Sequence, residues 1–192
     1  TARRFKTQSA FGAALDSLSD LVVFGVVPAL CLFVWALQDS GNIAWAATLF
    51  YAVSIALRLA RFDSELPNPP DYAANYFSGI PAPAAGFLVL MPIVIDLQFG
   101  LEIVRQATYV SVWLVLIGAG AVSTLPTFAG KKLKLPVDTV LPVLALVGLV
   151  GAAIVTEPWL PYLVVATVYV TSLPISAFRF AREKSAQVSS HP

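Results

Sequence analysis

Two aspartates and a glycine recur at four-residue intervals near the start of the chain. In an α-helix, Gly12, Asp16 and Asp20 would lie along one face, with a drift of only about 40° per step. Two carboxylates one turn apart can bind a common cation, and an all-oxygen site favours a hard ion such as Mg²⁺ or Mn²⁺. Because Gly12 has no side chain, a nucleotide or phosphate could approach the backbone closely. The pattern predicts a divalent-metal site that acts on a phosphorylated substrate.

A simpler interpretation of the same residues stays open. The two aspartates could solvate the start of a helix, and Gly12 could serve helix packing. Against this, Asp20 is followed at once by the apolar residues Leu21 to Phe24, so it lies within the first turns of an apolar segment. An ionisable group at such a depth needs a partner or a function.

The composition indicates a membrane protein. The 192 residues are 58% hydrophobic and 12% charged, whereas soluble domains have roughly 25% charged residues. The formal net charge of +1 argues against binding nucleic acid through bulk charge. Cys31 lies in an apolar run and His191 in a polar tail, so no Cys/His metal cluster is expected.

Six apolar stretches are long enough to cross about 30 Å of hydrocarbon. Because a spanning segment must satisfy its own backbone hydrogen bonds and no barrel-type alternation is present, we expect an all-α integral membrane protein. The prolines within these stretches should kink the helices. The stretches are 15–37, 43–59, 81–97, 107–125, 139–155 and 160–177.

Charge and aromatic residues predict the same orientation. If successive connections lie on alternate sides of the membrane, eleven basic residues fall on one side and only Arg105 on the other. The positive-inside rule then predicts that the first side is the cytoplasm. Tryptophans and a tyrosine flank the short outer loops, as expected at a membrane interface. The eleven are Arg3, Arg4, Lys6, Arg58, Arg61, Lys131, Lys132, Lys134, Arg179, Arg182 and Lys184, and the aromatic residues are Trp35, Trp45, Trp159 and Tyr162.

Neither repeats nor long linkers divide the chain. We expect one membrane domain over residues 1–184 and a polar, disordered tail over residues 185–192. The connection 62–79 is rich in Pro, Asn and Asp and is a candidate substrate loop. Because the first residue is Thr1 and no signal peptide is evident, we expect an N-terminally truncated chain with further helices upstream.

The motif resembles a known family. Ala2 and Arg3, followed after eight residues by Gly12, Asp16 and Asp20, are similar to the later part of the CDP-alcohol phosphatidyltransferase signature, Asp-Gly-x-x-Ala-Arg followed by Gly-x-x-x-Asp-x-x-x-Asp. The opening Asp-Gly would precede Thr1. Other segments resemble the membrane-embedded bacterial phosphatidylserine synthases within that family: 11–30, Arg58 to Phe62, Tyr76 to Gly86, and Pro126 to Phe128 with Lys131 and Lys132. Asp63, Ile80 and Gly86 depart from residues common in that group.

The resemblance implies a function and a role for each motif residue. The reaction would transfer the phosphatidyl group from CDP-diacylglycerol to the hydroxyl of L-serine and release CMP, with Mg²⁺ or Mn²⁺ as cofactor. Asp16 would bind metal, and Asp20 would act as general base while also contacting metal. Arg3 and Gly12 would line the cytidine diphosphate site, and Arg58 and Arg61 would bind a phosphate or the serine carboxylate.

The same resemblance implies a cellular setting. We expect a homodimer in the bacterial inner membrane, in contact with membrane lipid and with the active site facing the cytoplasm. Because the signature is incomplete, we also expect this fragment alone to be inactive.

Several alternatives remain at this stage. Arg58 and Arg61 could anchor their helix at lipid headgroups. The small residues and prolines between Ile80 and Gly86 could serve helix packing as well as the alcohol pocket. The acceptor could be glycerol phosphate, inositol phosphate or choline. A small membrane transporter is the alternative from another class, although here the charges gather at the cytoplasmic ends of the spans.

Overall fold

Helices occupy most of each of the six apolar stretches in a computed structural model, which describes residues 10–64, 76–124, 126–128 and 140–188. The helical membrane fold is therefore confirmed. The segments Phe11–Leu37, Gly41–Arg61 and Ala82–Phe99 are long and apolar enough to span a bilayer, and Ala107–Val122 and Trp159–Pro174 are shorter apolar helices. The α-helices are α1 Ala10–Asp20, α2 Val27–Leu32, α3 Gly41–Ser64, α4 Ala82–Val89, α5 Met91–Phe99, α6 Ala107–Val122, α7 Val140–Thr156 and α8 Trp159–Val188.

The first span changes its helical register directly after Asp20. A π-helical segment occupies Leu21–Val26, and a second one, Phe33–Leu37, follows α2. The amide of Val27 donates to the carbonyl of Val22, five residues earlier, as a π-helix requires. Pro28, in the first turn of α2, has no amide hydrogen to give to the carbonyl of Phe24. In place of the kink expected at Pro28, the helix is thus locally widened to a π-helix.

The third span is broken into two helices. We expected a single kinked helix over 81–97, but α4 ends at Val89 and α5 begins at Met91. Pro92 cannot donate to the carbonyl of Leu88, four residues earlier. The indole Nε1 of Trp113 on α6 donates to that carbonyl at 3.1 Å, and the hydroxyl of Tyr162 on α8 donates to the carbonyl of Phe87. The break therefore persists because neighbouring helices satisfy the exposed carbonyls.

The packed centre of the molecule lies between α3 and α6. Gly118 lets the two helices approach closely, since a Cβ there would lie 3.2 Å from the Cα of Tyr51. The first span and α4 pack around this pair, α5 and α7 each contact α8, and α8 contacts the second strand. The fully buried side chains of the centre include Tyr51, Ile55, Leu88, Leu114 and Val110.

A short antiparallel ribbon joins two connections on the side assigned to the cytoplasm. Strand β1 (Tyr76–Ser78) pairs with β2 (Pro126–Phe128), and Phe77 lies opposite Thr127. From sequence, we expected these segments to be separate loops. The ribbon ties the end of the candidate substrate loop to the start of the lysine-containing connection; residues 65–75 and 129–139 lie outside the described part of the chain.

The opposite end of the molecule carries aromatic contacts. The Arg105 guanidinium lies 5.7 Å from the ring centroid of Trp35, and Phe33 and Trp45 make an edge-to-face pair with centroids 4.9 Å apart. These contacts fit the interfacial belt expected there. Helix α8 continues to Val188, past residue 185, where we expected the polar tail to begin.

Candidate functional site

The Gly12, Asp16 and Asp20 residues form a carboxylate face on α1. This helix is regular from Ala10 to Asp20, so the four-residue spacing does bring the three residues onto one side. Gly12 and Asp16 are exposed and Asp20 is half-buried. The three residues are therefore accessible to a ligand, with Asp20 the deepest of them in the span.

The carboxylate face continues into the packed interior of the protein. The next residue at this spacing, Phe24, packs against α4, since a Cβ on Gly86 would lie 3.1 Å from the Cα of Phe24. The residue after that, Pro28, is buried. Gly25 is also buried, and a Cβ on it would lie 3.3 Å from the side chain of Ile55 on α3. Directly after Asp20, the first span thus packs against α3 and α4 through Phe24 and Gly25.

Tyr51 fixes the π-helical segment to α3. Its hydroxyl donates a hydrogen bond of 2.8 Å to the carbonyl of Phe24. The Tyr51 side chain is fully buried. Because Pro28 cannot supply the α-helical donor to this carbonyl, the Tyr51 hydroxyl provides a donor from α3 instead.

Arg58 and Arg61 occupy different environments at the end of α3. Arg58 is buried, with 9% of its surface exposed. Its guanidinium acts electrostatically on the phenol of Tyr169 on α8, which also lies beside Thr127 of β2. Arg61 is exposed, and its Nη1 donates to the carbonyl of Val122 at 2.8 Å. The three-residue spacing predicts that the two arginines lie on neighbouring faces of α3. In the structure they contact different residues.

The segment between the ribbon and α4 crosses the end of α6 at close range. Gly79 has φ +74°, and a Cβ there would lie 2.5 Å from the carbonyl oxygen of Ala121. The amide of Ile80 donates to the carbonyl of Gly120 at 3.1 Å, and the hydroxyl of Thr127 donates to the carbonyl of Gly79 at 2.9 Å. The positive φ and the close approach explain the glycine at position 79.

Two interior tyrosines were missed by the sequence analysis. Tyr51 and Tyr169 are polar residues within apolar spans, and such residues need a hydrogen-bond donor or acceptor inside the protein. That signal was present in the sequence. Their partners could not be read from it, because Phe24 is 27 residues before Tyr51 and Thr127 lies on a separate segment.

The carboxylate oxygens of Asp16 and Asp20 suit a hard divalent ion, but they do not complete a metal site by themselves. Within the described residues, no group of three or more His, Cys, Asp or Glu side chains is close enough to hold a metal. Carboxylate oxygens are the ligands that Mg²⁺ and Mn²⁺ prefer. Asp16 and Asp20 can therefore contribute part of a metal site; Arg3 and the three lysines at 131, 132 and 134 lie outside the described residues.

Comparison with known proteins decides the family. Residues 1–121 match the model of the CDP-alcohol phosphatidyltransferases, which includes the carboxylate face, Arg58 and Arg61. The chain belongs to the CDP-alcohol phosphatidyltransferase family. A second family model, named CDP-alcohol phosphatidyltransferase 2, matches residues 138–174 and so covers α7 and the part of α8 that carries Tyr169.

Curated members of this family resemble the chain along its whole length. It is 32% identical over 193 aligned positions to a protein of Mycobacterium tuberculosis named CDP-diacylglycerol–serine O-phosphatidyltransferase, covering all of this chain and 65% of that protein. The protein of the same name from Mycobacterium leprae is 30% identical, with 62% of it covered. One from Helicobacter pylori is 35% identical over 136 positions, covering 69% of this chain and 55% of that protein. The chain thus spans a little under two thirds of the mycobacterial relatives it matches.

Proposed function

We propose that the protein containing this chain transfers a phosphatidyl group from CDP-diacylglycerol to the hydroxyl of L-serine. The observation that carries this proposal is the accessible carboxylate face on α1, within a chain aligned over its full length with relatives named for that reaction. The enzyme would be a transferase of phospholipid biosynthesis.

The carboxylate face would supply the acid–base chemistry. Asp20 would accept the proton of the serine hydroxyl, and the serine oxygen would form a bond to the phosphorus that carries diacylglycerol. The bond from that phosphorus to the bridging oxygen would break, so that CMP leaves and phosphatidylserine remains. Such a base must lie within hydrogen-bond reach of the hydroxyl it deprotonates. Asp20 is half-buried but accessible, as this role requires.

A divalent metal, Mg²⁺ or Mn²⁺, would be held in part by Asp16 and Asp20. When bound, it would neutralise charge on the diphosphate and favour departure of CMP. The chain's own residues would orient the substrates. Gly12 leaves the backbone of α1 open to the nucleotide, and Arg3 would contact the cytidine diphosphate.

The arginines on α3 would bind the anionic groups of the substrates. A guanidinium can bind a carboxylate or phosphate through two parallel hydrogen bonds. Buried Arg58 would favour a charged ligand, because a charge removed from water needs compensation. Exposed Arg61 would bind at the edge of the site while it holds the end of α6.

We further propose that the protein is a homodimer in the bacterial inner membrane, with the carboxylate face on the cytoplasmic side. The carboxylate face, Arg58, Arg61 and the ribbon belong to the side that the distribution of basic residues along the sequence assigns to the cytoplasm. The substrates CDP-diacylglycerol and L-serine would then meet at the cytoplasmic surface of the bilayer.

The acceptor can be tested directly with the full-length protein. Purified enzyme is supplied with CDP-diacylglycerol, Mn²⁺ and one alcohol at a time: L-serine, glycerol phosphate, inositol phosphate or choline. We expect CMP release and a new phospholipid with serine alone. Turnover with glycerol phosphate but not serine would assign a different acceptor to the same chemistry, and uptake of a substrate into sealed vesicles without CMP release would indicate transport.

A further inference from the structure

The π-helical segment lies between the carboxylate face and the packed interior, so whatever holds this segment also sets where Asp20 lies. Asp20 is the last residue of α1, and the segment begins at Leu21. π-helical turns inside α-helices are rare and occur frequently at functional sites. Nothing in the family resemblance assigns a role to this turn.

A single side-chain hydrogen bond ties the turn to α3. The hydroxyl of Tyr51 donates to the carbonyl of Phe24, and the Tyr51 side chain is fully buried between the helices. Phe24 follows Asp20 by about one helical turn. On its other side Phe24 packs against Gly86 of α4. The turn is therefore held from two sides, by a polar contact to α3 and by close packing on α4.

The sequence of the first span favours this bond. In an α-helix the carbonyl of Phe24 would accept from residue 28, and Pro28 has no amide hydrogen. Inside a membrane, no water is available to donate a hydrogen bond to a backbone carbonyl. Pro28 thus removes the α-helical donor of this carbonyl, and the Tyr51 hydroxyl donates to it from α3. The bond joins the helix that carries the aspartates to the helix that carries Arg58.

We propose that Tyr51 is a positioning residue for the metal site. By holding the carbonyl of Phe24, it would fix the depth and rotation of α1 relative to α3, and so the placement of Asp20 relative to Arg58. This inference rests on the proposed function, since it assumes that Asp20 contributes to metal binding.

The same chain provides a matched control. Tyr162 on α8 also donates its hydroxyl to a helix carbonyl, that of Phe87 on α4, in a contact that does not involve the helix that carries the aspartates. Tyr51→Phe and Tyr162→Phe therefore remove the same atom and the same kind of hydrogen bond. Any cost common to the two variants reflects stability alone.

The first experiment measures Mn²⁺ binding to the detergent-solubilised full-length protein, through the electron paramagnetic resonance signal of free Mn²⁺. We expect Tyr51→Phe to weaken binding about tenfold, as is typical when a supporting residue outside the ligand set is removed. Tyr162→Phe should leave the affinity unchanged. Equal affinities in Tyr51→Phe and the wild-type protein would overturn the proposal.

A second variant separates positioning from stability. Pro28→Ala restores an amide donor for the carbonyl of Phe24, so the double variant Tyr51→Phe/Pro28→Ala should recover thermal stability lost in Tyr51→Phe. It should not recover Mn²⁺ affinity, because the link to α3 is still absent. Recovery of both properties would show that the hydroxyl acts by stabilisation only.

The outcome can be distinguished from failure of the proposed function. Asp20→Asn serves as the reference for loss of a ligand and should bind Mn²⁺ more weakly than Tyr51→Phe does. If Asp20→Asn binds Mn²⁺ as the wild-type protein does, the metal role of Asp20 is wrong. If Asp20→Asn loses binding while Tyr51→Phe retains it, only the positioning role of Tyr51 is wrong.

Discussion

The Nη1 atom of Arg61 donates a hydrogen bond of 2.8 Å to the carbonyl of Val122, the last residue of α6. Arg61 therefore joins the C-terminal ends of α3 and α6. Arg58, one turn earlier on α3, is buried near Tyr169 instead. The two arginines of one motif thus have different structural roles, and substitutions should separate them.

Replacing each arginine by lysine tests which one recognises a substrate through two parallel hydrogen bonds. Lysine keeps the charge but lacks the planar fork. We expect Arg58→Lys to raise the KM for one substrate about tenfold with little change in kcat, the pattern of lost ground-state binding. Arg61→Lys should change KM less, because one N–H suffices for the carbonyl of Val122. Steady-state kinetics of CMP release measure both, and a larger KM effect in Arg61→Lys would reverse the assignment.

The crossing of Gly79 over the end of α6 predicts a large stability effect. Gly79→Ala adds a Cβ to a residue with positive φ, and that Cβ would lie only 2.5 Å from the carbonyl oxygen of Ala121. Gly100→Ala is the control, because Gly100 also has positive φ, at +64°, but nothing lies within 4 Å of its added Cβ. Strain alone should cost about 1 kcal/mol of unfolding free energy, and the clash about 1–3 kcal/mol more. Equal losses in thermal or denaturant unfolding would mean that the close approach does not exist.

The orientation in the membrane can be checked by cysteine labelling. In a Cys31→Ser background, Ser40→Cys would place a thiol on the outer side and Thr124→Cys one on the cytoplasmic side. Both positions are exposed. An impermeant maleimide should label position 40 in right-side-out vesicles and position 124 only after permeabilisation. The reverse pattern would place the carboxylate face outside the cell.

The two aspartates should differ in their kinetic effects. Asp20→Asn removes the proposed base and should lower kcat about 10²- to 10⁴-fold even at saturating metal. Asp16→Asn removes a metal ligand only, so it should raise the Mn²⁺ concentration needed for half-maximal activity. Asp39→Asn, at an exposed position at the opposite end of the first span, is the control and should behave as the wild-type protein. Near-normal kcat in Asp20→Asn would exclude Asp20 as the base.

The helices could be predicted from sequence because bilayer thickness sets the length of an apolar run. The carboxylate face could be predicted as well, since it depends only on local helical spacing. The effect of each proline on its span could not be predicted from the sequence. Pro28 follows a π-helical turn and Pro92 accompanies a break, and in both places a side chain on a distant helix, Tyr51 or Trp113, donates to a backbone carbonyl.

The ribbon was unpredictable for a related reason. It consists of three residue pairs between segments about fifty positions apart, from Tyr76 with Phe128 to Ser78 with Pro126. Such short strands have little sequence pattern of their own, and their pairing depends on where the ends of α3, α6 and α8 bring the two connections. The environments of Arg58 and Arg61 follow from the same arrangement, so the motif alone did not distinguish them.

The most direct test of the account is release of CMP by the full-length protein from CDP-diacylglycerol and L-serine, followed while metal is removed and restored. We expect that exhaustive chelation stops CMP release and that Mn²⁺ or Mg²⁺ restores it in the wild-type protein but not in Asp20→Asn. Undiminished CMP release in the metal-free protein would contradict the proposal that Asp16 and Asp20 help to hold a metal required for phosphatidyl transfer.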